Sequence, residues 1–235
     1  MKQILLFLSL TLLFTLGLKA QKSPQNLAHY DETRIHFGAI IGYNQFSSLL
    51  RVKDPLPEPA KVIGMNNPSQ HGFQLGIVGD LKLFEYLRLR LIPTISFGDR
   101  KFNYNVIDSR GVYLTESTNV EAIYLEAPIE FKIQSKRWRN FRPYLIAGAK
   151  YAYDLASLKN KKISEEDLLL RLNNNDFMYT FGTGFDFYLP YFKFGIELKS
   201  SFSFNNMHIP ETHKPYSNII DKYKTRIFYV TFTFE

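Results

Sequence analysis

Few residues in this chain could make or break bonds, and their spacing suits the task poorly. Its 235 residues include five histidines and no cysteine. A disulfide framework, a thiolate metal site and a cysteine nucleophile are therefore excluded. His208 and His213 flank Glu211, which invites comparison with a zinc-binding helix. That site needs its histidines at i and i+4 on a helix, and Pro210 and Pro215 prevent a helix here. A rim pair such as a lipid-modifying enzyme uses can be drawn from His71 with Ser69 or Ser47. Nothing in the spacing supports that pair, so the expectation is no catalytic residue, no metal and no cofactor.

The charged residues carry more information. Arg88, Arg90, Glu126, Glu130, Lys132, Lys150, Glu197 and Lys199, with Asp80, Lys82 and Asp186, alternate with apolar residues along strand-length runs. Period two sends the apolar members to one face and the charges to the other. If the sheet closes with the apolar face outward, the charges fill its interior and must pair, because an unpaired buried charge is very costly. The first eight are the candidate interior network. Arg88 and Arg90 are expected to meet Glu126 and Glu130 across adjacent strands. A second candidate is Leu168, Leu169 and Leu170, which follow the helix-start pattern Ser164-Glu165-Glu166-Asp167. These leucines could cover a barrel mouth or contact a partner.

Eight runs would carry these residues, over 35–43, 73–81, 87–97, 123–133, 144–153, 177–187, 194–202 and 228–234. Each is about ten residues, the length of a tilted membrane-crossing strand. The links after the second, fourth and sixth runs are short. Those after the first, third, fifth and seventh, which cover 47–71, 98–119, 154–176 and 205–223, are long and polar. A soluble antiparallel sandwich also alternates, but it does not need this asymmetry of links. The expected fold is all-β: a closed antiparallel transmembrane β-barrel of about eight strands with long extracellular loops and short periplasmic turns. Phe and Tyr number 21 and 15 against one Trp, yet mean hydropathy is slightly negative. An apolar belt around a polar interior reconciles the two.

Residues 1–20 have the Lys2 start, apolar stretch and Ala20 end of a secretory signal. The expected division is a signal peptide over 1–20, a periplasmic segment over 21–33 and an outer-membrane barrel over 34–235, with both termini periplasmic. The basic stretch Lys136-Arg137-Trp138-Arg139 forms a periplasmic turn, and its Trp suits the membrane interface. Lipid head groups or an acidic partner fit this turn better than nucleic acid, despite a formal net charge of +7.

Three stretches carry a family resemblance. Ile35-His36-Phe37-Gly38 is the first. Tyr124 to Lys132 (YLEAPIEFK), continuing through Arg142-Pro143-Tyr144-Leu145 to Ser157, is the second. Gly184 to Phe194 (GFDFYLPYFKF), then Glu197-Leu198-Lys199 and the ending Thr231 to Glu235, is the third. Together they resemble the PorT family of outer-membrane barrels, associated in Bacteroidota with the type IX secretion system and, in gliding members, with motility. The resemblance implies an integral outer-membrane component needed for protein export, with membrane lipid and other type IX secretion components as partners and no enzyme activity. A barrel this narrow cannot pass a folded domain, so an accessory or assembly role is expected. A passive structural barrel and an outer-membrane lipid-modifying enzyme are the alternatives.

Overall fold

Alternating aromatic, β-branched and polar residues favour extended strands, and the computed structural model is almost wholly antiparallel sheet. It describes residues 24–53, 62–107, 111–156, 171–210, 217 and 219–235. The strands are β1 (Ile35–Val52), β2 (Val62–Asn66), β3 (Gln70–Lys82), β4 (Leu87–Leu91), β5 (Thr94–Ile107), β6 (Tyr113–Gln134), β7 (Phe141–Asp154), β8 (Asn175–Tyr188), β9 (Lys193–Ser203) and β10 (Ile220–Phe234). β1 pairs with both β3 and β10, so the sheet closes on itself. Around the ring come β1, β10, β9, β8, β7, β6, then β4 and β5 end to end as one wall position, then β3. The result is a closed antiparallel barrel of eight wall positions. β2 stands outside the ring, paired only with β5.

The run expected over 87–97 is broken into β4 and β5, and proline is the reason. Ile92 donates to Pro128 O at 3.2 Å, and Ile77 donates to Pro93 O at 3.1 Å. Neither proline can return the bond, having no N–H. The Ile92 carbonyl is instead capped by the Thr94 hydroxyl at 2.7 Å. The wall continues in register through this point, since Leu91 faces Ile129 and Thr94 faces Glu126.

Strands also run where long loops were expected. β5 continues to Ile107 and β6 begins at Tyr113, so most of 98–119 is a hairpin; β1 likewise reaches Val52. The alternation persists there with its polarity reversed. Ile95 and Phe97 face outward on β5 while Thr94 and Ser96 are buried; further along, Phe102, Tyr104 and Val106 are buried and Asn105 is exposed. β10 swaps in the same way, from outward Phe234 and Phe228 to outward Arg226 and Lys222, with Ile227 and Tyr223 turned in. Outside the bilayer the surroundings are water, so the strand surface follows the rule of a soluble protein.

The outward apolar row from Leu87 to Phe97 spans about ten residues. At roughly 3.3 Å per residue and a tilt near 40° it covers about 25 Å, the height of a membrane band. Phe84, Tyr86, Trp138 and Tyr191 are exposed at the short-turn end, as an aromatic girdle at the periplasmic interface would be. Thr94→Val should leave the Ile92 carbonyl without its cap and cost about 1 kcal/mol. The expected readout is a lower temperature for the folded-to-unfolded gel shift, with the folded band retained.

Candidate functional site

Strand parity turns the polar rows inward, and the lumen they line is buried and charged. All eight residues of the candidate network are buried. Their pairing differs from the cross-strand expectation. Arg90 lies opposite Glu130 and Arg88 opposite Lys132 in the β4–β6 register, yet neither arginine bonds to Glu126 or Glu130. Arg88 donates to Asp80 at 2.6 Å and to the His36 ring at 2.6 Å. Arg90 reaches across the lumen to Glu197 at 2.5 Å. Glu126 receives Lys150 at 2.9 Å, and Glu130 receives Lys199 at 3.1 Å. The physical reason is the narrow ring. A long arginine spans it, and Lys132 opposite Arg88 would repel it, so Arg88 turns to Asp80 and Lys132 to Asp186 at 2.6 Å.

Aromatic residues complete the filling. Tyr144 OH donates to Glu197 at 2.9 Å and Tyr229 OH to Glu126 at 2.9 Å. The Lys132 ammonium sits 3.8 Å from the centre of the Tyr144 ring, a cation–π contact that partly replaces lost water. Gly184 makes room for that ring, since a Cβ there would lie 2.5 Å from it. Mid-lumen the packing leaves a cavity of about 20 Å³ lined by Gln74, Glu126, Lys150 and Tyr229 among others, space for about one water. The network also includes Asp80, Asp186, Arg100 with Asp154, and Lys193 with Glu235. Parity marked Asp80 and Asp186. Arg100 and Asp154 lay in stretches assigned to loops, and Lys193 and Glu235 lie at strand ends.

Both ends of the lumen are covered. At the periplasmic end, residues 24–34 lie across the mouth as a strap. Asp31 takes two bonds from Arg142, at 2.9 and 3.0 Å, and lies 3.6 Å from Arg137. Arg137 stacks 3.6 Å over the Tyr188 ring and donates to the Asn26 carbonyl. The basic turn therefore holds its own chain, while Trp138 remains exposed. Tyr30 stacks on His36 and donates to Glu235 at 3.0 Å. Burial pushes the Tyr30 phenol well up, against the opposing pull of Lys193, so it stays a donor. A cavity of about 920 Å³ opens beside the strap, between Glu32, Arg34, Lys82 and Glu85.

At the extracellular end Val62, Phe102, Tyr104, Val120, Met207 and Tyr223 form a buried apolar core. His208 Nε2 lies 2.9 Å from Ser217 Oγ beside this core, with the two residues 6% and 3% exposed. Glu211 and His213 lie outside the described residues, as do Leu168, Leu169 and Leu170. His71 is exposed and contacts the Tyr43 hydroxyl; Ser47 donates to the Arg226 carbonyl at 3.2 Å, and Ser69 is exposed. Among the described residues no group of three or more His, Asp or Glu could hold a metal ion.

A family model described as an outer membrane protein beta-barrel domain matches residues 19–208. Among solved structures the chain is similar to the outer membrane protein OprG from Pseudomonas aeruginosa. The identity is 12%, the match covers 90% of this chain and 97% of that one, and the TM-score is 0.45. No curated protein sequence matches the chain.

Two outcomes follow from the filled lumen. Arg90→Met should destabilise the barrel by about 3 kcal/mol in urea unfolding, because it leaves Glu197 buried without its main partner. Adding Glu197→Gln should restore part of that loss. In planar bilayers the unaltered protein should show no steady nanosiemens-scale conductance.

Proposed function

The chain belongs to the outer membrane protein beta-barrel domain family, and from that premise we propose that it is a non-enzymatic outer-membrane component required for export by the type IX secretion system. Its role is accessory or in assembly, beside a wider conduit. The observation that carries the second half of this reading is the lumen. It is crossed by Arg90–Glu197 and Lys199–Glu130 pairs and covered at both ends, so a polypeptide has no path along the axis. Work done for secretion then falls to the outer surfaces, in contact with lipid and with other type IX components. The secretion role itself rests on the PorT-like stretches, chiefly Gly184 to Phe194 and Thr231 to Glu235.

A passive structural barrel is the second reading, and the strap favours it: the chain closes its own periplasmic mouth with Asp31, Arg137 and Arg142. The contact of His208 with Ser217 raises the enzyme reading again. Both side chains are buried, and a serine nucleophile must be reachable by its substrate and its base together. We read the pair as part of the extracellular cap.

Two experiments separate these readings. Deletion of the gene should strand type IX cargo in the periplasm, and the full-length chain should restore secretion. Normal secretion by the deletion strain leaves the passive barrel. A fluorophosphonate probe should not label the folded protein, and labelling lost in Ser217→Ala would establish the enzyme.

A further inference from the structure

Beyond the apolar belt the β5–β6 hairpin leaves the wall as a ribbon, with β2 along one side. Among the described residues the other side is open. Among the described residues the last contact on that side is the amide of Leu155, the residue after β7, bonding to the Ile123 carbonyl at 2.8 Å. From Glu121 back to Tyr113, β6 has β5 on one flank and, among the described residues, no strand on the other.

The direction of the unused bonds follows from geometry. Along an antiparallel strand the N–H and C=O of one residue point to one side, and those of the next point to the other. The Ile123 carbonyl points toward β7. The backbone groups of Glu121, Asn119, Ser117, Thr115 and Tyr113 therefore point to the open flank. Their side chains are exposed as well. A long edge of this kind is usually blunted by proline, lysine or a bulge. The segment Tyr113 to Glu121 (YLTESTNVE) contains no proline, glycine or lysine, and its Tyr, Thr and Val suit a strand.

Charge narrows the choice of occupant. Asp99 and Glu121 are directly opposite on the outer face of the ribbon, a like-charge cross-strand pair that is unfavourable on its own. Glu116 adds a third acid on the other face, and Lys101, opposite Asn119, is the one nearby cation on the outer face of the described ribbon. The acidic edge contrasts with the positive net charge of the whole chain. A strand laid along β6 with Lys or Arg beside Glu121 would relieve the carboxylate pair and satisfy the open backbone groups together. We infer that the free edge of β6 docks an extended, basic segment of another protein, which adds to the ribbon as a strand. The inference does not depend on the secretion role and can fail separately from it.

The absence of native cysteine makes the test clean. Asn103→Cys, across the ribbon from Ser117, carries an environment-sensitive fluorophore on the full chain in lipid nanodiscs. The probe is a synthetic ten-residue peptide alternating Lys with Val. Saturable binding is expected, with slowed hydrogen exchange at the Thr115, Ser117 and Asn119 amides. A Glu-for-Lys peptide should bind at least about tenfold more weakly, because like charges would then face each other. Glu116→Gln with Glu121→Gln should weaken the Lys peptide in a protein whose fold is intact, and Ser117→Pro should abolish binding. No saturable signal, equal binding of a peptide with proline at alternate positions, or occupation of the edge by a second copy of the chain in the same nanodisc would each overturn the inference.

Discussion

Everything in this barrel depends on the charges its narrow ring encloses. Eight wall positions leave an interior only wide enough for side chains, and the inward rows carry arginine, lysine, aspartate and glutamate. None can be left without a counter-charge at that burial. The ring therefore behaves as a lock: Arg90 ties β4 to β9 across the axis and Lys199 ties β9 to β6, while the wall hydrogen bonds tie only neighbours. A pair that spans the lumen fixes the relative position of strands that never touch. The tyrosines and Gly184 serve this arrangement, orienting carboxylates and clearing space for the rings that orient them.

Much of this was legible in the amino-acid order, and the part that was not has a physical cause. Parity is a local property of a strand, so Arg88, Glu126 and Lys150 could be assigned to the inward face from their neighbours alone. Partner choice is a property of the closed ring. Arg90 faces Glu130 in register but bonds to Glu197, 107 residues away, and nothing local distinguishes the two. Pro93 broke an otherwise regular run for a reason visible in its own chemistry. The bond from the Thr94 hydroxyl to the Ile92 carbonyl needed the structure.

The ends were harder still. Strand signals were sought as apolar residues facing outward, and this worked only as far as Phe97 and Phe228. Beyond them Phe102, Tyr104 and Val106 obey the opposite rule, turning inward, so a hairpin passed for a loop. The strap was hidden differently. Asp31 lies in a short polar segment with no period at all, and its importance comes from Arg137 and Arg142, more than a hundred residues later.

The reversal of polarity along β5, β6 and β10 also acts as a draught mark. A barrel with a uniformly apolar outside could ride higher or lower in the bilayer at little cost. Here one step downward would submerge Asp99, Glu121 and Arg226 in hydrocarbon, and one step upward would lift Phe97 and Phe228 into water. The immersion depth is thus written into the side chains. From that fixed waterline the two strands rise as far as Ile107 and Tyr113, roughly eight residues and on the order of 20 Å with strand tilt. The paired strands stand as a mast whose foot is fixed at the membrane surface.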